Sequence, residues 1–320
     1  MTTNYSEPDP LVCDETYSSS IEILKYLLTI SYLIPGGILH LFILHTILVT
    51  RRGYFKGSSF FAIFALDSVS SIIIVFIDSF YGRLFLYVPP LCPIVGPFFW
   101  ASSLIPKIYF YLSVHTRLSK CVAHICMVLN RMTCVLMPTY YGQIWRKLTK
   151  VSLVIICILP LGGTWNIIIS PRFYVLPSYG GFAISYVRAI PWASSSLFQS
   201  IYILTALVFT FICTSVTLYK LISLSDRIKS AEKSLCFSNI YISLTFLAAA
   251  ASQALYAFCT SCMSSDLLFT AQFLAFDMFT VGSAVILFWS NSQIRGLILP
   301  SKAEDDRIFR VQTINNSFTH

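Results

Sequence analysis

Runs of about twenty apolar residues recur along this chain. That is the length at which a helix rising about 1.5 Å per residue crosses a hydrocarbon core about 30 Å thick. Such runs lie at about 26–49, 60–79, 151–169, 197–221, 235–258 and 267–289; Asp67 interrupts the second and Asp277 the last. Hydrophobic residues make up 56% of the 320 and charged residues 11%, a balance that would coat a water-soluble globule with exposed apolar surface. The sequence therefore describes a polytopic, all-α membrane protein. Residues 89–138 are the difficulty, because Lys107, His115, Arg117, Lys120 and His124 interrupt their apolar ends.

Charge placement decides the count. If residues 106–137 form one helix, there are seven spans and the loops alternate sides. One side then receives Arg51, Arg52, Lys56, Arg131, Arg146, Lys147, Lys150, Lys220, Arg227, Lys229, Lys233, Arg295, Lys302, Arg307 and Arg310; the other receives only Arg83, Arg172 and Arg188. A bias of fifteen to three places the first set in the cytoplasm. The expected organisation is an extracellular tail at 1–23, a seven-helix transmembrane domain at 24–299 and a cytoplasmic tail at 300–320. Eight spans would break this sorting. Residues 1–24 carry acids but no base, so they lack the positive region of a cleaved signal peptide. The sequons at Asn4 and Asn315 lie at opposite ends and do not decide the orientation. The net charge of +8 is spread over short loops rather than gathered on one face, which speaks against nucleic acid as a partner and for a lipid bilayer.

With this topology, Cys121, Cys126, Cys134, Cys157, Cys213 and Cys236 lie within spans or at their inner ends, where they act as small packing residues. Cys13, Cys92, Cys259 and Cys262 fall outside, in a compartment that permits disulfides. Cys13 is expected to pair with Cys92, and Cys259 and Cys262 form either a local bridge or two free thiols. A lone CxxC without nearby histidines does not make a metal site.

Leu129-Asn130-Arg131 closes the third span, and Pro138 follows the arginine by seven residues. Together with seven spans and an outside N-terminus, this resembles the G-protein-coupled receptor architecture, with Asn130 where that superfamily usually has an acid. More closely, the chain resembles the nematode chemosensory serpentine receptors of class gamma. The matching pieces are Tyr32-Leu33-Ile34-Pro35-Gly36, Leu91-Cys92-Pro93, Leu129-Asn130-Arg131-Met132-Thr133 and Ile144-Trp145, in that order. The seventh span lacks Asn-Pro-x-x-Tyr, the sixth lacks the usual tryptophan and proline, and the second outer loop has no cysteine, so the standard switches are not carried over.

The resemblance implies a plasma-membrane receptor, of sensory cilia in such a family, that binds a small-molecule or pheromone-like ligand and signals to a heterotrimeric G protein. Coupling would fall to Asn130, Arg131, Pro138, Arg227, Lys229 and Lys233. Position alone nominates Tyr109, Tyr111, His115, Phe273 and Phe276 for the ligand, although aromatic residues at helical spacing usually serve packing. His40 and His45 read as ordinary satisfied side chains. No cofactor is implied.

Depth arithmetic adds a physical inference. Lys120 lies about 16 Å above Arg131, and Asp67 about 14 Å into the second span, so the two share a depth. Resemblance agrees, since Asp67 matches the acidic position that often holds sodium in the superfamily and Lys120 a position lining that pocket. Lys120 is expected to replace the ion and neutralise Asp67. The same count pairs Arg117 with Asp277, both about 20 Å from the inner end of their spans. A transporter or channel using Asp67, Asp277, Arg117 and Lys120 as a relay is the alternative, but the inverted repeats and broken helices common in transporters are not evident. No His-Glu-x-x-His or glycine-flanked aspartate motif suggests an enzyme.

Overall fold

A computed structural model describes residues 12–14, 16–55, 57–101, 104–222, 240–252, 255, 265–290 and 292–298. The chain is predominantly helical. α1 (Ser19–His45) runs into a π-helical turn at Thr46–Thr50, and α2 (Ser59–Ile77) continues through a second π-helical turn at Asp78–Arg83 into Leu84–Tyr87. α3 (Cys92–Ala101) precedes the long α4 (Leu104–Leu136), and α5 (Tyr141–Ile158) passes Pro160 into α6 (Leu161–Ile168). A β-hairpin follows, then α7 (Ser195–Ile222), α8 (Ile240–Ser252), α9 (Ser265–Ser290) and α10 (Ser292–Ile298).

Five helical stretches are long and apolar enough to cross a membrane: Ser19–Thr50, Ser59–Tyr87, Tyr141–Ile168, Ser195–Lys220 and Phe269–Ser290. Pro89–Phe99 and Leu104–Leu136 meet at a bend of 111° and make a sixth if taken as one. Composition holds α4 back, because its 33 residues carry Lys107, Arg117, Lys120 and Arg131. At about 1.5 Å per residue it is nonetheless about 50 Å long, ample for a span. Of the expected span at 235–258, only residues 240–252 and 255 lie within the described set.

The second span corrects an expectation. It does not stop near residue 79 but runs on to Tyr87, carrying Asp78 and Arg83 inside the bundle. A π-helical turn fits one extra residue into the helix, and such turns recur where a side chain must be re-aimed. Arg83, counted above as an outer-loop charge, is 2% exposed.

Apolar side chains do not all turn inward. Phe42, Phe76, Val208, Phe211, Leu244 and Leu247 are each more than half exposed, an outward apolar coat that suits lipid. Small residues let the helices approach closely. Gly36 of α1 lies against Val281 of α9, and Gly37 against Val75 of α2, where any larger residue would meet those side chains. A core of Ile43, Phe60, Ile63, Val122, Met127, Trp145 and Leu287 joins α1, α2, α4, α5 and α9 at one end of the bundle.

At the other end lies the hairpin, β1 (Phe173–Ser178) paired antiparallel with β2 (Gly181–Tyr186) from Phe173 opposite Tyr186 to Ser178 opposite Gly181. Tyr179 and Gly180 both have positive φ, 54° and 75°, as a tight two-residue hairpin turn of this hand demands. The strands lie in the expected second outer loop, where Phe173-Tyr174-Val175-Leu176 and Phe182-Ala183-Ile184 flank the turn that holds a Gly-Gly pair. Phe182 packs on Phe85 and Phe99, and a disulfide joins Cys13 to Cys92 beside them, with Cα atoms 6.1 Å apart. The hairpin thus lies across the ends of α2 and α3.

Candidate functional site

Three basic residues of α4 face α2 at three depths. Lys120 follows Arg117 by three positions and Arg131 follows Lys120 by eleven, about three turns, so all three fall near one face of α4 and meet polar or aromatic residues of α2 along one seam. In the middle, Lys120 Nζ donates to Asp67 Oδ1 at 2.9 Å, to Asp67 Oδ2 at 3.0 Å and to Ser71 Oγ at 2.6 Å. Lys120 is 0% exposed and Asp67 2%, and the ammonium also lies 4.9 Å from the Phe279 ring centroid. Three oxygen acceptors and a ring face replace the hydration that a lone ammonium would forfeit at a cost of several kcal/mol.

Nearer the hairpin, Arg117 Nη2 donates to both oxygens of Asp78, at 2.9 and 2.8 Å. Arg83 donates through Nη2 to Asp277 of α9, and Tyr32 of α1 donates to the other oxygen of that carboxylate. The expected Arg117–Asp277 pair is therefore replaced by two others. Depth arithmetic located Arg117 and Asp277 but not the rotation about their axes, and it took no account of Asp78 and Arg83, the partners each of them takes. The two pairs act on one another, since Asp78 attracts Arg83 while Arg83 repels Arg117. Guanidinium faces cover aromatic rings as well: Arg83 lies 4.8 Å from the Phe273 centroid and Arg117 5.1 Å from that of Phe276.

The five aromatic and histidine candidates for ligand contact divide between two places. Phe273 and Phe276 border the charged cluster, and Tyr109 stands beside it, its ring 5.9 Å from Tyr81 and its hydroxyl against Gly82. Tyr111 and His115 stack together at 5.3 Å, and Tyr111 packs with Val114, Ile167 and Phe173 toward α6 and the hairpin. His40 Nε2–H donates to the Thr280 carbonyl at 2.9 Å, which ties α1 to α9.

At the far end of α4, the Arg131 guanidinium lies 3.9 Å from the Phe60 ring centroid, and both residues are buried. Asn130 accepts a hydrogen bond from the Tyr141 hydroxyl at 3.1 Å. Trp145 Nε1–H donates to Thr133 Oγ1 at 2.7 Å, so the start of α5 is fixed to the end of α4. Pro138 sits exposed in the turn between them, with Arg146, Lys147 and Lys150 exposed on the following helix. Arg227, Lys229, Lys233, Cys236, Cys259, Cys262, Asn4 and the segment 300–320 lie outside the described residues. Sequence reasoning missed Asp78, Arg83, Tyr32, Ser71 and Phe60. Asp78 and Arg83 carried a signal, since they stand five apart beyond an apolar run; Phe60 carried none.

Comparison with known proteins places this arrangement. Residues 26–298 match the model of the Srg family chemoreceptors. Serpentine receptor class gamma-16 of Caenorhabditis elegans is 49% identical over 286 residues, which cover 89% of this chain and 88% of that protein. Serpentine receptor class gamma-17 of the same organism is 44% identical over 319 residues, 100% of this chain and 98% of its own length. Serpentine receptor class gamma-11 is 36% identical over 304 residues, covering 95% and 90%. With a match across nearly all of its apolar helices, the chain belongs to the Srg family of chemoreceptors.

Proposed function

We propose that this chain is a seven-helix chemosensory receptor of the plasma membrane, with its N-terminus outside, which binds an extracellular small molecule and signals to a heterotrimeric G protein. The observation that carries this reading is the polar seam between α2 and α4. It begins at Arg117–Asp78 beneath the hairpin, passes Lys120–Asp67 and ends at Arg131 over Phe60. One rigid helix thus touches both the end where a ligand would enter and the end where a cytoplasmic partner would bind.

Buried ion pairs and packed helices have discrete arrangements rather than a continuum, so a seam of this kind is suited to two states. In the described state Arg131 is covered by Phe60, while Asn130 is engaged by Tyr141. The Phe60 ring face is one attraction that holds the arginine in this state. A ligand that prefers the other arrangement of the outer pairs would turn α4 against α2 and release the arginine. The charge distribution supports the same orientation: with Arg83 inside the bundle, Arg172 and Arg188 are the bases left to the outer side of the three first assigned there.

The test is a panel of candidate chemicals applied to cells that express the receptor with a G-protein reporter. A dose-dependent response is expected, with loss of that response in Arg131→Ala at equal surface expression. A response that persists in Arg131→Ala would count against the coupling role.

A further inference from the structure

The outer charged cluster is balanced in charge but not in hydrogen bonds. Arg83, Arg117, Asp78 and Asp277 sum to zero. Arg117 reaches its carboxylate through the single nitrogen Nη2, and Arg83 spends its two terminal nitrogens on Asp277 and the Tyr32 oxygen. Among the described residues, the Nε–H of Arg83 and the Nε–H of Arg117 are both buried without an acceptor. A buried donor without an acceptor costs about as much as a lost hydrogen bond, more when the group is charged, so two within one ion-pair cluster leave a demand that oxygen from outside the chain would meet.

We propose that these two N–H groups anchor the ligand of the receptor, and that they select an uncharged molecule carrying a carbonyl oxygen on a small apolar body. This rests on the receptor reading given above and names the ligand class for it. Charge balance decides against the obvious alternative. A carboxylate would satisfy both donors but add a net negative charge beside Asp78 and Asp277, with no third base in the cluster to match it. A cationic amine would compete with the arginines for the same acids and leave both Nε–H groups as they were. A ketone, aldehyde or ester oxygen accepts from the donors and changes no charge. The surroundings suit an apolar body, since Phe273, Phe276 and Tyr81 border the arginines and Tyr109.

The experiment uses the purified full-length receptor in lipid nanodiscs, with thermal unfolding and direct titration as readouts and a matched set of probes: octanal, octanoate, octylamine and octane. Octanal is expected to bind and raise the unfolding temperature more than the other three. Arg117→Lys, which keeps the charge opposite Asp78 but lacks the Nε–H, is expected to weaken octanal at least about tenfold, the factor carried by a hydrogen bond to a charged group. Its unfolding temperature without probe should stay near that of the wild type. Arg83→Lys is the parallel variant, and because it is more deeply buried the partly exposed Arg117 position carries the result if it does not fold. Preference for octanoate or octylamine, octanal no better than octane, or undiminished octanal binding in Arg117→Lys would each overturn the proposal; the last would mean that water alone serves the donors. None of these readouts involves a G protein, so such a failure leaves the signalling reading to its own reporter test.

Discussion

At the level of single side chains, charges survive inside the bundle by pairing with one another and with ring faces. A buried pair is weak evidence of added stability, because desolvation offsets most of the attraction, but removing one partner leaves a stranded charge worth about 3–5 kcal/mol. Lys120→Met should therefore lower surface expression and thermal stability strongly. Adding Asp67→Asn should recover much of the loss, and equal defects in single and double variants would defeat the pairing. Phe60→Leu removes the ring over Arg131, an interaction of about 0.5–2 kcal/mol, and should raise ligand-independent reporter output while Phe60→Tyr should not. Counting residues was enough to find Lys120 and Asp67, because both stand well inside uninterrupted α-helix, where about 1.5 Å per residue holds. It was not enough for Arg117, whose partner sits in a π-helical turn and on a side of the axis that depth does not report. Phe60 over Arg131 left no trace in the sequence, since a phenylalanine in an apolar run looks the same whether it faces lipid or a guanidinium.

Among the elements, the long apolar helices were readable from length and charge alone, as hydrocarbon demands internally bonded backbone over a fixed distance. Their ends were less so. The second span was expected to end near residue 79 with Arg83 on the outer side, whereas the helix runs on to Tyr87 and keeps Asp78 and Arg83 by pairing each with a charge on a neighbour. The hairpin went unread because strand alternation over six residues is a faint signal beside runs of twenty. Its seat is specific: a Cβ at Gly181 would collide with the backbone carbonyls of Phe85 and Leu86, which cannot swing aside as a side chain would. Gly181→Ala should therefore lift the hairpin from α2 and lower thermal stability by about 1–3 kcal/mol, the usual cost of overpacking. Gly180→Ala would strain the turn and leave this contact alone. Replacing Cys13 and Cys92 together by serine should cost about 2–4 kcal/mol, measured as a fall in unfolding temperature that reducing agent reproduces in the wild type.

For the molecule as a whole, α4 is proposed to move against α2 as one body, so that the outer pair and the inner ring contact report on a single equilibrium. Asp78 and Phe60 stand eighteen positions apart on a helical path, about 27 Å at the usual rise, far beyond the distance at which substitutions normally couple. Allosteric coupling between such sites is typically about 1–3 kcal/mol, and it acts in both directions. The most direct measurement is a double-mutant cycle of Asp78→Asn with Phe60→Leu, read as ligand-independent G-protein reporter output at matched surface expression. The two substitutions together are expected to depart from the sum of their separate effects by at least about 1 kcal/mol. Effects that simply add would mean that the two ends of the seam move independently, and would contradict motion as one body.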